Sequence, residues 1–221
     1  MLVSAILLAG GKGERMGSST PKQFLPLQNK AIALHSLEVL LELEEIEEIV
    51  VVCALEHRHF FANMPVKFAL PGNQRQESVY NGLQMVQPEA QWICTHDSAR
   101  PFINSQMVRT LFKASEHIGA ASLAMPVKNT LKESTGDHKV ARTLDRASIW
   151  EIQTPQLIKK KILDAGFTYA HAQSLSVTDD VSLAELVGES VKLIQGNYQN
   201  IKITTPEDLA FAEWLMLKNH G

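Results

Sequence analysis

From Leu2 to Val127 the sequence alternates between short apolar runs and segments whose apolar residues recur at helical spacing. "LVSAILLA" (2–9) reads as a strand covered on both faces, and "AIALHSLEVLLEL" (31–43) sets Ile32, Leu34, Leu37, Leu40 and Leu41 at helical intervals. "IEEIVVVCAL" (46–55), "VKFAL" (66–70), "AQWICTH" (90–96) and "GAASLAMPV" (119–127) read as further strands, with helices at "RQESVYNGLQMV" (75–86) and "SQMVRTLFKASEH" (105–117). Strands without a polar face, interleaved with helices, imply an α/β fold: a mostly parallel central sheet flanked by helices on both sides. Such a sheet binds ligands in the crevice beyond the carboxyl ends of its strands.

After Val127 the rhythm changes. "KNTLKESTGDHKVARTLDR" (128–146) is polar, with a turn signal between two short β-like runs, and predicts a protruding hairpin arm at about 128–150. A two-stranded arm of this kind is marginal alone, so it either stays solvated or finds a second face on a neighbouring subunit. "IWEIQTPQLI" then reads as strand, "KKKILDAGFTYAHA" and "TDDVSLAELVG" as helices, and "SVKLIQG" as strand. "TPEDLAFAEWLMLK" closes as a helix with Thr205 as cap, Pro206 at the first position and Glu207 and Asp208 in the first turn. No linker or repeat interrupts residues 1–221, which implies one domain.

The formal net charge of the 221 residues is −3, which argues against nucleic acid or an anionic membrane as the main partner. Phosphate recognition, if present, must be local. Cys53 and Cys94 lie inside apolar runs, as buried thiols do, and form neither a disulfide framework nor a metal knuckle. The apolar start is too short for a membrane span and has no basic residues before it, so a cytoplasmic protein is expected.

The first strand runs into "AGGKGERMGSSTPKQFLPL", where Gly10, Gly11, Gly13 and Gly17 are interspersed with Lys12, Arg15 and Lys22. Glycines let a backbone approach phosphate and aim several N–H groups at it. A P-loop needs Gly-Lys five residues after its first glycine, but Arg15 and Met16 stand there. A dinucleotide loop needs a third glycine where Met16 stands, a side chain that would obstruct close packing of helix on strand. What remains is G-G-x-G-x-R-M with Lys22 beyond it, cations spaced as if strung around a triphosphate. Arginine can grip phosphate oxygens in pairs, and lysine supplies a compact charge.

This stretch resembles the signature of nucleotidyltransferases that activate sugar and polyol phosphates. Together with "HDSARPF", "PVKNT", "TLDR", "IQTPQ", "TDD" and "NIKITTPEDL", in that order across nearly the whole chain, it is similar to the 2-C-methyl-D-erythritol 4-phosphate cytidylyltransferase family. The resemblance implies a Rossmann-like nucleotidyltransferase that transfers CMP from CTP to the polyol phosphate, with release of pyrophosphate. It implies Arg15 and Lys22 as catalytic cations, and Ala9, Gly10, Gly11 and Gly13 as CTP contacts. Gly72, Asn73, Arg75 and Ser78 in "PGNQRQES" would lie near base and ribose; this chain lacks the two acids the family commonly carries there, and backbone groups of Gly72 and Asn73 remain to read the base.

Asp97, at a strand end opposite the glycine loop, suits a Mg²⁺ ligand, because Mg²⁺ combines one or two carboxylates with phosphate oxygens. The acceptor phosphate would meet Arg100, Thr154, Thr178 and Lys202, joined by Thr130 and Arg146 from the arm of a partner in a homodimer. Other roles compete: Arg100 as an ion-pair partner of Asp97, and Thr178 as a helix cap. Gln199 stands where many members carry an acid, so only Asp97 is assigned to metal. His96, a lone histidine at a strand end, is given no catalytic role. Alternatives are a ribitol-5-phosphate cytidylyltransferase, another sugar-phosphate nucleotidyltransferase, or a nucleotide-binding regulator without turnover.

Overall fold

The structure, a computed structural model, describes residues 2–11, 13, 16–17 and 20–219. Its elements follow the expected alternation. β1 (Val3–Leu8) leads through the glycine loop to a small ribbon of β2 (Pro26–Leu27) and β3 (Lys30–Ala31), then α1 (Ile32–Leu41). β4 (Ile46–Val52), β5 (Lys67–Ala69), α2 (Arg75–Leu83), β6 (Trp92–Asp97), α3 (Ser105–Ser115) and β7 (Ala120–Pro126) complete the first part. β8 (Lys132–Ser134) and β9 (Val140–Thr143) form the arm. β10 (Trp150–Lys159), α4 (Lys160–Ala172), α5 (Val181–Leu186), β11 (Lys192–Gln195) and α6 (Pro206–Asn219) follow.

Seven strands make one sheet in the order β11-β7-β10-β6-β1-β4-β5. β10 pairs antiparallel with both β6 and β7, while the other pairings are parallel. The sheet is therefore mostly parallel, with one reversed strand whose direction its sequence does not reveal. β1 is flanked by β4 on one side and β6 on the other, so the strand order reverses there, and a crevice opens beyond the carboxyl ends of β1 and β6.

The unbroken apolar strands are explained by their two covered faces. Along β4, Ile49 and Val51 join a core with Leu37 and Leu40 of α1 and Leu111 of α3. Val50 and Val52 point the other way, to Val79 of α2, Phe167 of α4 and Leu183 of α5. Each such fully buried side chain contributes roughly 1.5–3 kcal/mol. Gly82 lets α2 press onto the sheet: a Cβ there would lie 2.6 Å from Cγ2 of Ile6. α6 packs through Ala212 and Met216 against Leu27, Ile32 and Ile203. At its start Thr205 Oγ1 accepts the Asp208 N–H at 3.4 Å, the expected cap, and Asp208 Oδ2 answers by accepting the N–H groups of Thr204 and Thr205 at 2.8 and 2.9 Å.

The arm is an antiparallel pair, and every residue of β8 and β9 is exposed. Cys53 and Cys94 are both free and buried; burial pushes their thiols up to about 11 and about 12. Among the described residues no helix is long and apolar enough to cross a membrane.

Candidate active site

A cavity of about 470 Å³ lies over the carboxyl ends of β1 and β6, a volume suited to a small ligand. Gly10, Gly11, Gly13 and Lys22 line it from the glycine loop, Gly72, Asn73, Arg75 and Ser78 from the turn before α2, and Asp97 and Lys202 from the far side. Residues that the sequence links to one nucleotide thus share one cavity. Two differ. Arg15 lies outside the described residues. Ala9 is 1% exposed and lies outside the lining, with its N–H on the Val52 carbonyl at 2.9 Å and its carbonyl accepting from Gln23 Nε2 at 2.7 Å.

Gln23 has no role in the sequence reading, yet it braces the loop, since the same Nε2 also donates to the Gly11 carbonyl at 2.9 Å. Its signal was its place inside "PKQF", directly after Lys22. Gly10 permits contact between this loop and the turn before α2: a Cβ there would lie 2.4 Å from Cβ of Pro71.

At the base end the N–H of Gly72 donates to Ser78 Oγ at 3.0 Å, and the N–H of Asn73 to Glu77 Oε2 at 2.7 Å. These donors are engaged inside the protein. The carbonyl oxygens are left as the backbone groups of this turn through which an amino group such as that of cytosine could be recognised.

Charge concentrates where the cavity meets the sheet. Arg75 grips Asp180 with both Nη atoms, at 2.7 and 2.8 Å, and reaches Asp97 Oδ1 with Nε at 3.0 Å. Lys202 Nζ lies 2.7 Å from Asp97 Oδ2. Thr95 donates to Asp180 Oδ2 at 2.6 Å, a further hydrogen bond to a carboxylate that is 1% exposed and paired with Arg75. Burial alone would push the Asp97 carboxyl up; Arg75 and Lys202 outweigh it and hold the group well below the usual carboxylate range. Arg75, in turn, is raised by Asp180 and Asp97 against the effect of its burial.

A magnesium ion would find one protein ligand here. Among the described residues no group of three or more His, Cys, Asp or Glu side chains could hold a metal. Asp97 is ionised, faces the cavity and keeps a second lone pair on each oxygen beyond the bonds to Arg75 and Lys202. One carboxylate of this kind suits a metal whose remaining ligands are phosphate oxygens and water.

A second cavity, about 260 Å³, opens beside the first. Arg100, Thr154, Thr178 and Lys202 line it, four of the residues expected at the acceptor phosphate. Arg75, Asp97 and Lys202 line both cavities, so the two meet on one charged junction. Thr130 and Arg146 lie in neither lining. Both are exposed on the arm, where Arg146 Nη1 donates to the Lys128 carbonyl at 2.7 Å.

The competing roles resolve differently. The Arg100 guanidinium does not hydrogen-bond the Asp97 carboxylate; its Nη1 donates to the Asn200 carbonyl at 2.7 Å and its Nη2 to that of Ile152 at 3.5 Å, and burial lowers its pKa. Thr178 is not the cap of α5. Asp179 Oδ1 accepts the Ser182 N–H at 3.1 Å, and Gln156 Oε1 accepts those of Asp180 and Val181 at 2.9 and 3.0 Å. The strand residue Gln156 thus satisfies the helix start, leaving Thr178 at the cavity.

Thr154 is more constrained than a substrate-facing hydroxyl. Its Oγ1 accepts the Asp97 N–H at 3.0 Å and lies 3.0 Å from His96 Nδ1. Burial pushes His96 down to about 4, so its ring is neutral near pH 7. His96 Nε2 lies 3.1 Å from the Arg100 carbonyl, which can only accept, so the ring proton sits on Nε2. Nδ1 then accepts from Thr154, and that hydroxyl proton is committed internally.

Comparison with known proteins agrees with this geometry. Residues 3–218 match the family described as 2-C-methyl-D-erythritol 4-phosphate cytidylyltransferase. The chloroplastic enzyme of that name from Oryza sativa subsp. japonica is 47% identical over 220 residues, covering 97% of this chain and 74% of its own length. The Chlamydia pneumoniae enzyme is 43% identical over 213 residues, covering 96% and 98%. Among solved structures, 4-diphosphocytidyl-2C-methyl-D-erythritol synthase from Anaerococcus prevotii superposes with a TM-score of 0.86 at 28% identity, covering 98% of both chains. The Francisella tularensis 2-C-methyl-D-erythritol 4-phosphate cytidylyltransferase gives 0.85 at 30% identity, covering 97% of this chain and 99% of its own. With its motifs, its sheet and its full-length relatives in agreement, this chain belongs to the 2-C-methyl-D-erythritol 4-phosphate cytidylyltransferase family.

Proposed function

We propose that this chain transfers the cytidylyl group of CTP to the phosphate of 2-C-methyl-D-erythritol 4-phosphate, forming 4-diphosphocytidyl-2-C-methyl-D-erythritol and pyrophosphate. The observation that carries this reading is the junction: a glycine-lined cavity and a smaller polar one share Arg75, Asp97 and Lys202. CTP would occupy the larger cavity and the acceptor the smaller, so that its phosphate faces the α-phosphorus.

An acceptor phosphate oxygen attacks the α-phosphorus, the bond from that phosphorus to the bridging oxygen breaks, and pyrophosphate departs with the electron pair. The nucleophile is already an anion, so no general base is needed. Catalysis is then positioning and stabilisation of negative charge. Lys22 lines the cavity where the triphosphate would lie, and the family resemblance gives Arg15 the same partner; Lys202 stands between donor and acceptor, and Arg100 and Thr178 face the acceptor. Arg75 does not spend its charge on substrate; it keeps Asp97 in place. Mg²⁺ would be held by Asp97 together with triphosphate oxygens, where it offsets the charge of the nucleotide. A reducing compartment such as the cytoplasm suits the two free, buried thiols.

Pyrophosphate release with CTP and Mg²⁺ tests the reaction. Release with methylerythritol phosphate, and little with ribitol 5-phosphate or a sugar 1-phosphate, is expected. Release with none of them would favour a nucleotide-binding regulator.

The exposed arm supports a homodimer in which Thr130 and Arg146 reach the partner's acceptor cavity. Sedimentation velocity at micromolar concentration should show a dimer; a monomer would remove both residues from the site.

A further inference from the structure

We propose that His96 is a positioning residue, a buried brace that sets Arg100 and Asp97 relative to one another. The proposal rests on Arg100 serving the acceptor phosphate. His96 is 0% exposed, so it cannot touch substrate. Its ring nevertheless ties three segments together. Through Nε2 it holds the Arg100 carbonyl at 3.1 Å, and through Nδ1 it holds Thr154 of β10 at 3.0 Å. Thr154 in turn accepts the N–H of Asp97 at 3.0 Å. The turn from Asp97 to Arg100 is closed by the Arg100 N–H on the Asp97 carbonyl at 2.9 Å.

Arg100 depends on this backbone bracing. No acid grips its guanidinium: Nη1 bonds the Asn200 carbonyl at 2.7 Å, Nη2 reaches the Ile152 carbonyl only at 3.5 Å, and Nε is buried with no hydrogen-bond partner. An arginine held so lightly at its head is aimed by its backbone, and the His96 ring holds that backbone from below. Asp97 is fixed differently, by Arg75 and Lys202, so loss of the ring should shift Arg100 more than Asp97. The acceptor half of the site should therefore suffer more than the nucleotide half.

Two substitutions separate the ring's two bonds. His96→Gln keeps a donor where Nε2 stands, as many bonds from Cβ, and preserves the hold on Arg100. His96→Asn keeps an acceptor for Thr154 where Nδ1 stands and loses the hold on Arg100. The test measures KM for each substrate in both variants, in Arg100→Ala, and in the double variant His96→Asn/Arg100→Ala. His96→Asn is expected to raise KM for methylerythritol phosphate about tenfold, the scale of one lost hydrogen bond, with KM for CTP within about twofold. His96→Gln should recover most of that loss, and the double variant should be no worse than Arg100→Ala, because the ring acts through that arginine. An unchanged acceptor KM, a parallel rise in both KM values, or additive losses in the double variant would overturn the proposal. If Arg100→Ala alone leaves the acceptor KM unchanged, the assignment of Arg100 fails, and the positioning role with it. Should His96→Asn not fold, His96→Leu, which fills the ring's volume and also loses the hold on Arg100, takes its place in the same cycle with the same outcomes.

Discussion

At the scale of single residues, Asp97 and Arg75 were legible as types but not as partners. The glycine loop and the strand end placed them near a nucleotide. The distance between Arg75 and Asp180, 105 residues along the chain, hid the ion pair that holds Arg75. Arg100 shows the reverse case: Asp97, close in sequence, competed with the acceptor phosphate as its partner, but the guanidinium goes to the Asn200 and Ile152 carbonyls instead. His96 offered no sequence signal beyond its place at a strand end, because its function lies in bonds made after folding.

His96 also gives a pH prediction. Its folded value is about 4 against an ordinary 6.5, so as pH falls through that window the unfolded chain takes up a proton that the folded chain refuses. Stability is complete above about pH 6.5, falls on the way to pH 4, and loses on the order of 3 kcal/mol from this group. Further into acid, Asp97 continues the loss, since its folded carboxyl is held below its unfolded value. Denaturant midpoints of the wild type and His96→Gln across this range should show a shallower slope in the variant. His35, also lowered by burial, contributes equally to both proteins. Equal slopes would contradict the buried, neutral assignment.

At the scale of elements, the alternation of strand and helix was readable because the inner strands β1, β6 and β7 are covered on both faces and the helices beside them on one. The start of α6 was readable because its cap lies within the local sequence. The start of α5 was not. Thr178 has the right chemistry for a cap, but Gln156 from β10 and the side chain of Asp179 do that work, so a local rule lost to a tertiary one. This frees Asp180, the residue before α5, to join α2 and β6 through Arg75 and Thr95. Asp180→Asn should therefore cost about 3 kcal/mol in urea unfolding, the scale for removing one partner of a buried ion pair. A loss below about 1 kcal/mol would mean that Arg75 finds equivalent support from Asp97 alone.

At the scale of the whole molecule, the parallel sheet and its switch point place the candidate site. β1 and β6 end side by side, with Leu8 in register with Asp97, so the glycine loop and this carboxylate share an edge. Lys202 follows β11 at the opposite end of the sheet order, yet the chain returns it to Asp97, 105 residues back. The sequence indicated that Lys202 belonged to the acceptor; folding adds that it borders the nucleotide cavity as well. The steady-state kinetics of Lys202→Ala is therefore the most direct test of a junction shared by two half-sites. Turnover should fall by roughly 10²-fold or more, with kcat/KM reduced for both CTP and methylerythritol phosphate. Turnover within about threefold of the wild type, or a loss confined to the KM of one substrate, would contradict the shared junction.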